Sequence, residues 1–292
     1  HTVVSVAKKP NDSLSRLCDH SIHVTRYRLK EIIKLCESFN PDILIPSDEE
    51  LIFDGVGGLD LGRIKVLAPR IEWLFFERDK SRFKSFVADV DPTLVPHSKH
   101  FQKFEDFICA VEGFPNGFVL KAPPPSKDIV IFKEGAKGVE DEIKTLFEKH
   151  AGSGLMGEEY IEGNEFSVHV LFGEDGILLS KPIMDYPFRD EGDLGPKTGG
   201  MGAISPSGLN LPFHQEVDYR KAETIIRSIL NKAVTQFGPT RGFFSFQFFK
   251  SGERLLVNEV DVHPGDPESI ALLLSLRTDI SEAISNVLHG EN

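Results

Sequence analysis

Glu259 and Asp261 stand two apart in a run, Leu255 to Val262, whose pattern reads as a β-strand. Side chains two apart on a strand share a face. The period therefore groups Leu255, Val257, Glu259 and Asp261, just ahead of a Gly-Asp-Pro turn at 265–267. Two carboxylates so placed suit a hard oxygen-ligand site, because magnesium takes one or two protein carboxylates, keeps several waters and shares substrate phosphates. A solvated strand end with two exposed acids is the competing reading, and on spacing alone the commoner one. Lys121 lies in an otherwise apolar strand, where an unpaired ammonium is costly and a bound anion or a carboxylate partner would resolve the cost; snorkelling to the surface is the bland alternative. Lys80 and Lys84, four apart on a helix face, are further candidate phosphate partners, although lysines so spaced are most often plain surface residues.

The connector Gly157 to Glu165 carries Glu158, Glu159, Glu162 and Glu165 between two strands. Its backbone could hydrogen-bond a planar base and its acids could accept from a ribose diol; by itself it reads as an acidic surface turn. The stretch Gly192 to Gly202 is more informative, with five glycines in eleven residues. Glycine permits unusual dihedrals and close backbone approach to a ligand, and successive N–H groups can cradle an anion. The alternative is a merely flexible loop. It matches neither G-x-G-x-x-G nor G-x-x-x-x-G-K-[ST]. The histidines lack zinc spacing and no HExxH occurs, and without a GxSxG elbow a hydrolase triad is not supported.

The elements that must position these groups read as follows. Val3 to Lys9 and DHSIHV are strands, Thr25 is the expected N-cap of a helix through Phe39, and DILIP is a buried strand. Strand, strand, helix, strand makes a small α/β layer, without the further strand and Gly-rich turn that usually open such a unit. A helix-rich stretch from Glu72 carries Lys80 and Lys84, and a short helix lies near Phe101 to Val111. Strands follow at 118–122, 129–132 and 155–161, then at 166–172 and 177–183 around a turn at 173–176. Residues 185–210 read as a long Gly/Pro/Asp-rich loop, a kind that is usually functional. A helix from about Glu216 to Phe237, strands at 242–249 and 254–262, and a final helix opened by Asp266-Pro267-Glu268 complete the chain.

The chain has 292 residues, 40% hydrophobic and 27% charged, with a net charge of −12. This is an ordinary soluble composition with enough chain for one large domain or two modest ones. The acidic balance argues against a nucleic-acid platform, and no run approaches the roughly 20 apolar residues of a membrane helix. Cys18, Cys36 and Cys109 are too scattered for a disulfide framework or a thiolate zinc site, so free, mostly buried thiols in a reducing compartment are expected. The start lacks the apolar core of a signal peptide and an initiating Met, so the numbering is expected to begin inside a longer chain.

Three blocks together resemble the ATP-grasp ligases, and among them the phosphoribosylamine–glycine ligase family. EEYIEGNEFS (158–167) is similar to the family's EE-[FY]-L-x-G-x-E hinge. Asp185 through GDLGPKTGGMGAISP to Pro206 is similar to its GD-x-GPNTGGMGAYSP loop. NEVDVHPGDPES (258–269) is similar to E-[FY]-N-x-R-F-GDPE-T. The second block is the specific one, and the resemblance covers most of 41–292. It implies an α/β fold with an incomplete N-terminal layer (1–71) and an ATP-grasp domain of α+β lobes (72–292, small lobe about 118–160), nucleotide binding between the lobes.

Carried over, Glu158 faces the adenine amino group, the Glu159 and Ile161 backbone reads the base edge, Glu165 takes the ribose hydroxyls, and Lys80 and Lys121 bind phosphate. Glu259 and Asp261 are the ligands of Mg2+ or Mn2+. Lys121, Asp185 and His263 are the catalytic candidates, with Asp185, Thr198, Gly199, Gly200, Met201, Gly202 and Asp266 around the substrates. The implied reaction joins a carboxylate to an amine through an acyl phosphate, using ATP. Small-molecule substrates, no nucleic acid or membrane partner, a cytoplasmic location and a monomer or homodimer go with it. This chain departs from the family in reading KAPPPSKDIVIF where the family has KADGLAAGKGV, in carrying His263-Pro264 in place of the motif's Arg-Phe, and in the neutral Gln247 where many ATP-grasp enzymes place another acid; a divergent member without the family's C-terminal domain is the expectation. Proline removes backbone donors. Another amino acid–amine pair, or a nucleotide-binding pseudoenzyme, is therefore an alternative to the family reaction.

Overall fold

The computed structural model describes residues 1–9, 16–114, 116–122, 128–133, 140–173, 176–192 and 194–289. The Pro123-Pro124-Pro125 run lies outside them.

The N-terminal layer holds the parallel strands β1 (Val4–Ala7) and β2 (His20–His23), helix α1 (Leu29–Phe39), β3 (Ile43–Leu44), helix α2 (Glu49–Phe53), and β4 (Lys65–Val66) parallel to β3. Ile32 and Cys36 bury the inner face of α1. The helix begins later than expected: Thr25 lies ahead of it and Arg28, extended, takes the N-cap position. It ends where Asn40, at φ 46°, donates its N–H to the Cys36 carbonyl, with proline next in sequence. Two helices follow, α3 (Phe75–Arg78) and α4 (Lys80–Ala88), and Asp79 caps α4 by accepting from the Arg82 N–H.

The next lobe is a four-stranded antiparallel sheet of β5 (Ser98–Phe101), β6 (Gly117–Lys121), β7 (Ile129–Lys133) and β8 (Leu155–Glu159), in the order β5-β8-β6-β7, with helices α5 (Phe104–Ala110) and α6 (Glu140–Lys149). It has its own core, in which Phe101, Phe107, Phe118, Leu120, Ile143, Phe147 and Leu155 meet. The sheet starts at Ser98, some twenty residues ahead of the expected lobe limit, because β5 pairs with β8.

The larger lobe is built on β9 (Asn164–Phe172), β10 (Ile177–Leu179), β15 (Gly242–Ser251) and β16 (Arg254–Asp261), antiparallel in the order β10-β9-β15-β16. Between β10 and β15 lie the short strands β11 (Met184–Asp185), β12 (Phe188–Asp190), β13 (Leu194–Lys197) and β14 (Ala203–Ile204), then helix α7 (Glu216–Phe237). The stretch expected to be irregular is thus a folded arm in which β11 pairs with β14 and β12 with β13. A capping box between Gln215 and Asp218 opens α7, and Gly238 closes it. After α8 (Glu268–Ser275) comes a further helix, α9 (Ile280–His289), so the helix at Glu268 is not the last.

Alternation gives the large sheet two unlike faces. Phe166, Val168 and Val170 of β9 and Phe244, Phe246 and Phe248 of β15 are at most 2% exposed and pack with Ile226, Ile229 and Leu230 of α7. Ser167, His169, Ser245 and Gln247 point the other way. On β16 the register slips between Gln247 and Phe248, which leaves Asn258 as an extra residue. This bulge overturns the expected grouping. Glu259 and Asp261 pair with Gln247 and Ser245 on the polar face, whereas Leu255 and Val257 turn into the core. That core also takes Ile32, Leu51, Ile52, Val56 and Val66 from the N-terminal layer, so the first 71 residues and the large lobe bury one continuous interior.

Candidate functional site

The polar face presents Ser167 and His169, Ser245 and Gln247, and Glu259 and Asp261 on three adjacent strands. Gln247 donates from Nε2 to Asp261 Oδ2 at 3.0 Å. Burial, then the neighbouring Glu259, raises the Asp261 carboxyl above its ordinary value. Two acids that lack enough positive charge, with an amide oxygen beside them, are a donor set that fits a hard divalent cation. Helix α4 supplies part of that charge, since Lys80 bonds Glu259.

One turn further along the same helix, Lys84 reaches the other lobe. It is buried, contrary to the expectation of a surface lysine, and its Nζ lies 2.7 Å from both Glu158 oxygens. Lys121 Nζ lies 2.6 Å from Glu158 Oε2. Glu158 is thus one carboxylate between two ammoniums. Burial pulls it upward, and Lys84 and Lys121 outweigh that and hold it below the usual carboxylate range. Burial brings Lys84 down to about 8, because it only shares the carboxylate and faces Lys121 as well. The lysine beside Lys121 is therefore Lys84, while Lys80 stands at the acidic end.

Strand β8 leaves the small lobe at Glu159. Its N–H donates to the His97 carbonyl at 2.8 Å, which occupies it as a donor. Its side chain accepts from the His97 N–H at 2.9 Å and from Arg254 at 2.7 Å. Ile161 lies in the short connector, and Glu165, on β9, accepts from Asn258 Nδ2 at 3.3 Å. A cavity of about 950 Å³ adjoins the Glu159–Arg254 pair, but Val217, Thr224 and Ile225 of α7 line it, so it lies on the side of the sheet away from the acids.

The glycine-rich arm closes the opposite end. Tyr186 N–H donates to the Gly202 carbonyl at 2.9 Å and Met201 N–H to the Tyr186 carbonyl at 2.8 Å. The Thr198 hydroxyl donates to the Pro187 carbonyl at 2.9 Å and accepts from the Gly200 N–H at 3.0 Å. Gly200, at φ 121°, seats against Pro267, where a Cβ would come within 2.3 Å of the ring. Gly199 has open space on its side-chain face. The arm thereby meets the turn carrying Asp266, and Asp185 lies on its base strand. Glu268, buried at the start of α8, is raised by burial and by the negative charges of Asp185, Asp261 and Asp266.

His263, just past β16, donates from Nδ1 to the Pro264 carbonyl at 2.9 Å. Its Nε2 lies 3.4 Å from Glu49 and 3.8 Å from Glu77. Burial, aided by repulsion from Asp261 and Glu49, pushes Glu77 up to about 7, against the Val262 N–H that it accepts at 2.8 Å. His169 is lowered to about 4, chiefly by burial, and is a neutral ring within 3.5 Å of the Ser167 and Ser245 hydroxyls. Glu49, Glu77, Lys84 as a buried group, Ser167, His169, Ser245 and Glu268 were not singled out as site residues from sequence. The alternation in FSVHV and FFSFQFF could have marked Ser167, His169 and Ser245 as a face opposite the aromatic core.

Two lobes around an acidic strand face, joined by a short connector and bridged by a helix with a lysine for each lobe, define an ATP-grasp protein. Known structures share the fold. A phosphoribosylamine–glycine ligase from Thermotoga maritima matches with a TM-score of 0.72 at 19% identity over 96% of this chain and 68% of its own. A biotin carboxylase–β-γ-ATP complex from Campylobacter jejuni matches with a TM-score of 0.69 at 15% identity over 99% of this chain and 65% of its own. The family model for the phosphoribosylglycinamide synthetase ATP-grasp (A) domain matches residues 78–269, and the chain belongs to that family. Curated relatives include phosphoribosylamine–glycine ligases from Methanococcus maripaludis, 25% identical over 98% of this chain, and Methanothermobacter thermautotrophicus, 27% identical over 99%. The chain spans about two thirds of their length, 67% and 68%.

The expected burial of the thiols holds only in part: Cys36 is buried, Cys18 half-buried and Cys109 exposed, all free. Among the described residues no helix is long and apolar enough to cross a membrane.

Proposed function

We propose that this protein is an ATP-dependent carboxylate–amine ligase, acting in the cytoplasm on small molecules, with the glycine and phosphoribosylamine of its relatives' names as the substrate pair. The observation that carries the proposal is helix α4, which brings Lys80 to Glu259 in one lobe and Lys84 to Glu158 and Lys121 in the other. A polyphosphate lying between the lobes then meets cations from both sides and an acidic, metal-binding end.

Glu259 and Asp261 would hold Mg2+ or Mn2+, which, when bound, offsets charge on the transferring phosphoryl group. Lys121 and Lys84 orient the phosphates, with Lys80 at the metal end. Glu158 keeps the lysines in place, Ile161 offers backbone to the base edge, and Glu165 accepts from the ribose. The substrate carboxylate oxygen attacks the γ-phosphorus and ADP leaves. The amine nitrogen then attacks the acyl carbon, phosphate departs, and the nitrogen gives up its proton. Thr198, Gly199, Gly200, Met201 and Gly202, with Asp185 and Asp266, enclose the acceptor, and Asp185 receives that proton. His263 puts a ring where the family motif carries Arg. Positioning and fixed charge do the work.

The test is ADP release from ATP and magnesium with a panel of amino acids, with and without phosphoribosylamine generated in place. ADP formation that requires both glycine and phosphoribosylamine is the expected result. Turnover with another pair moves the substrates, and nucleotide binding without turnover on any pair would refute the ligase.

A further inference from the structure

We propose that Glu49, Glu77 and His263 form a second cation site, separate from the Glu259–Asp261 pair, that takes a divalent first-row transition ion with zinc-like preferences and joins the N-terminal layer to the large lobe.

Each ligand comes from a different element: Glu49 from the first turn of α2, Glu77 from α3, and His263 from the turn after β16. Their donor atoms all lie within 4.8 Å of one another. A tetrahedral ion about 2.1 Å from each donor needs donors about 3.4 Å apart. The Nε2 distances of 3.4 Å to Glu49 and 3.8 Å to Glu77 are already near that value.

The outer contacts are also those of a ligand set. A carbonyl can only accept, so the Nδ1 that meets Pro264 must carry the ring hydrogen. That fixes the imidazole and turns Nε2 toward the two carboxylates, as the outer hydrogen bond of a metal-binding histidine does. Glu77 is oriented in the same way, its Oε2 engaged by the Val262 N–H while Oε1 faces His263. A neutral ring here aims its Nε2 lone pair at the two carboxyl groups, so a cation belongs in the gap: either a proton, on Nε2 or on Glu77, or a metal ion. One imidazole and two carboxylates favour a transition ion over magnesium, which prefers oxygen alone. Three protein ligands leave a fourth position open. The Glu49 side chain is 60% exposed, so that position can face solvent or an anionic substrate group. The ion would then restore a cation at the position where the family motif has its Arg.

The test is a calorimetric titration of the full chain with Zn2+, in excess magnesium and without nucleotide, with Co2+ absorption as a second probe of nitrogen–oxygen ligation. It reads binding alone and does not depend on ligase turnover. We expect one Zn2+ per chain, binding retained in Glu259→Gln, and affinity reduced by about tenfold or more in Glu49→Gln and in His263→Asn. Zinc should also raise the Tm of the parent chain by more than that of Glu49→Gln at the same concentration. Glu49 is exposed, so that variant keeps the test decisive if His263→Asn fails to fold. Absence of zinc binding would leave a proton in the gap and overturn the proposal. So would equal binding in Glu49→Gln, or loss in Glu259→Gln, which would assign the ion to the nucleotide end.

Discussion

Glu158 neutralises two ammoniums at once, so its loss should be felt twice. In Glu158→Gln the buried Lys84 and the half-buried Lys121 face each other without a counter-charge. Breaking a buried ion pair from one side is far costlier than removing both partners. We expect a stability loss of about 3 kcal/mol in urea unfolding and weaker nucleotide binding. Glu77 supplies a pH signature. Its carboxyl titrates at about 7 in the folded chain against an ordinary 4.5, so the folded state holds the proton more tightly across that interval. Its stabilising contribution is complete below the lower value and is lost as pH rises through the upper one. Glu77→Gln removes this loss. With chelator present, the variant should gain on the parent between about pH 5 and pH 8 by on the order of 2 kcal/mol, measured as the change in unfolding free energy. An unchanged difference across that range would show that Glu77 is not the desolvated group.

At the scale of elements, the arm depends on one close approach. A Cβ at Gly200 would overlap Pro267, and its backbone lies at φ 121°. Gly200→Ala should therefore cost about 1–3 kcal/mol and raise the KM for the acceptor more than that for ATP. Steady-state kinetics on both substrates separates the two. The arm's glycines, the connector between the strands at 155–159 and 164–172, and the shared face of Glu259 and Asp261 were legible in the sequence, because turn chemistry and strand period are local. What period cannot carry is a register slip. Counting by twos through Asn258 put Val257 beside the acids, and the bulge put it in the core. The burial of Lys84 escapes the sequence for a related reason: helical spacing shows which residues share a face, not which face a second lobe will cover. Glu49 and Glu77 lie far from His263 in sequence, and only the packed fold brings them together.

At the scale of the molecule, the two lobes differ in how they hold together. The small lobe has a core of its own, whereas the large lobe shares its interior with the N-terminal layer, through Leu51, Ile52, Val56 and Val66. A chain cut to 72–292 would expose those partners' apolar surface, so it should lose the cooperative thermal transition that the full chain shows in calorimetry. A sharp transition in the truncated chain would make the first 71 residues an independent unit. The side-by-side strands β5 and β8 have a further consequence. The chain enters the small lobe at His97 and leaves it at Glu159, and these residues are bonded to each other and, through Glu159, to Arg254. Entry, exit and salt bridge thus gather at one place, so two adjacent strands and one ion pair tether the lobe to the rest of the chain. Arg254→Ala should loosen that tether, read as a broader spread of distances between spin labels on α6 and α7. That tether sits on the β5–β8 side of the sheet, so any tilt of the lobe about it is largest at β7, the opposite edge.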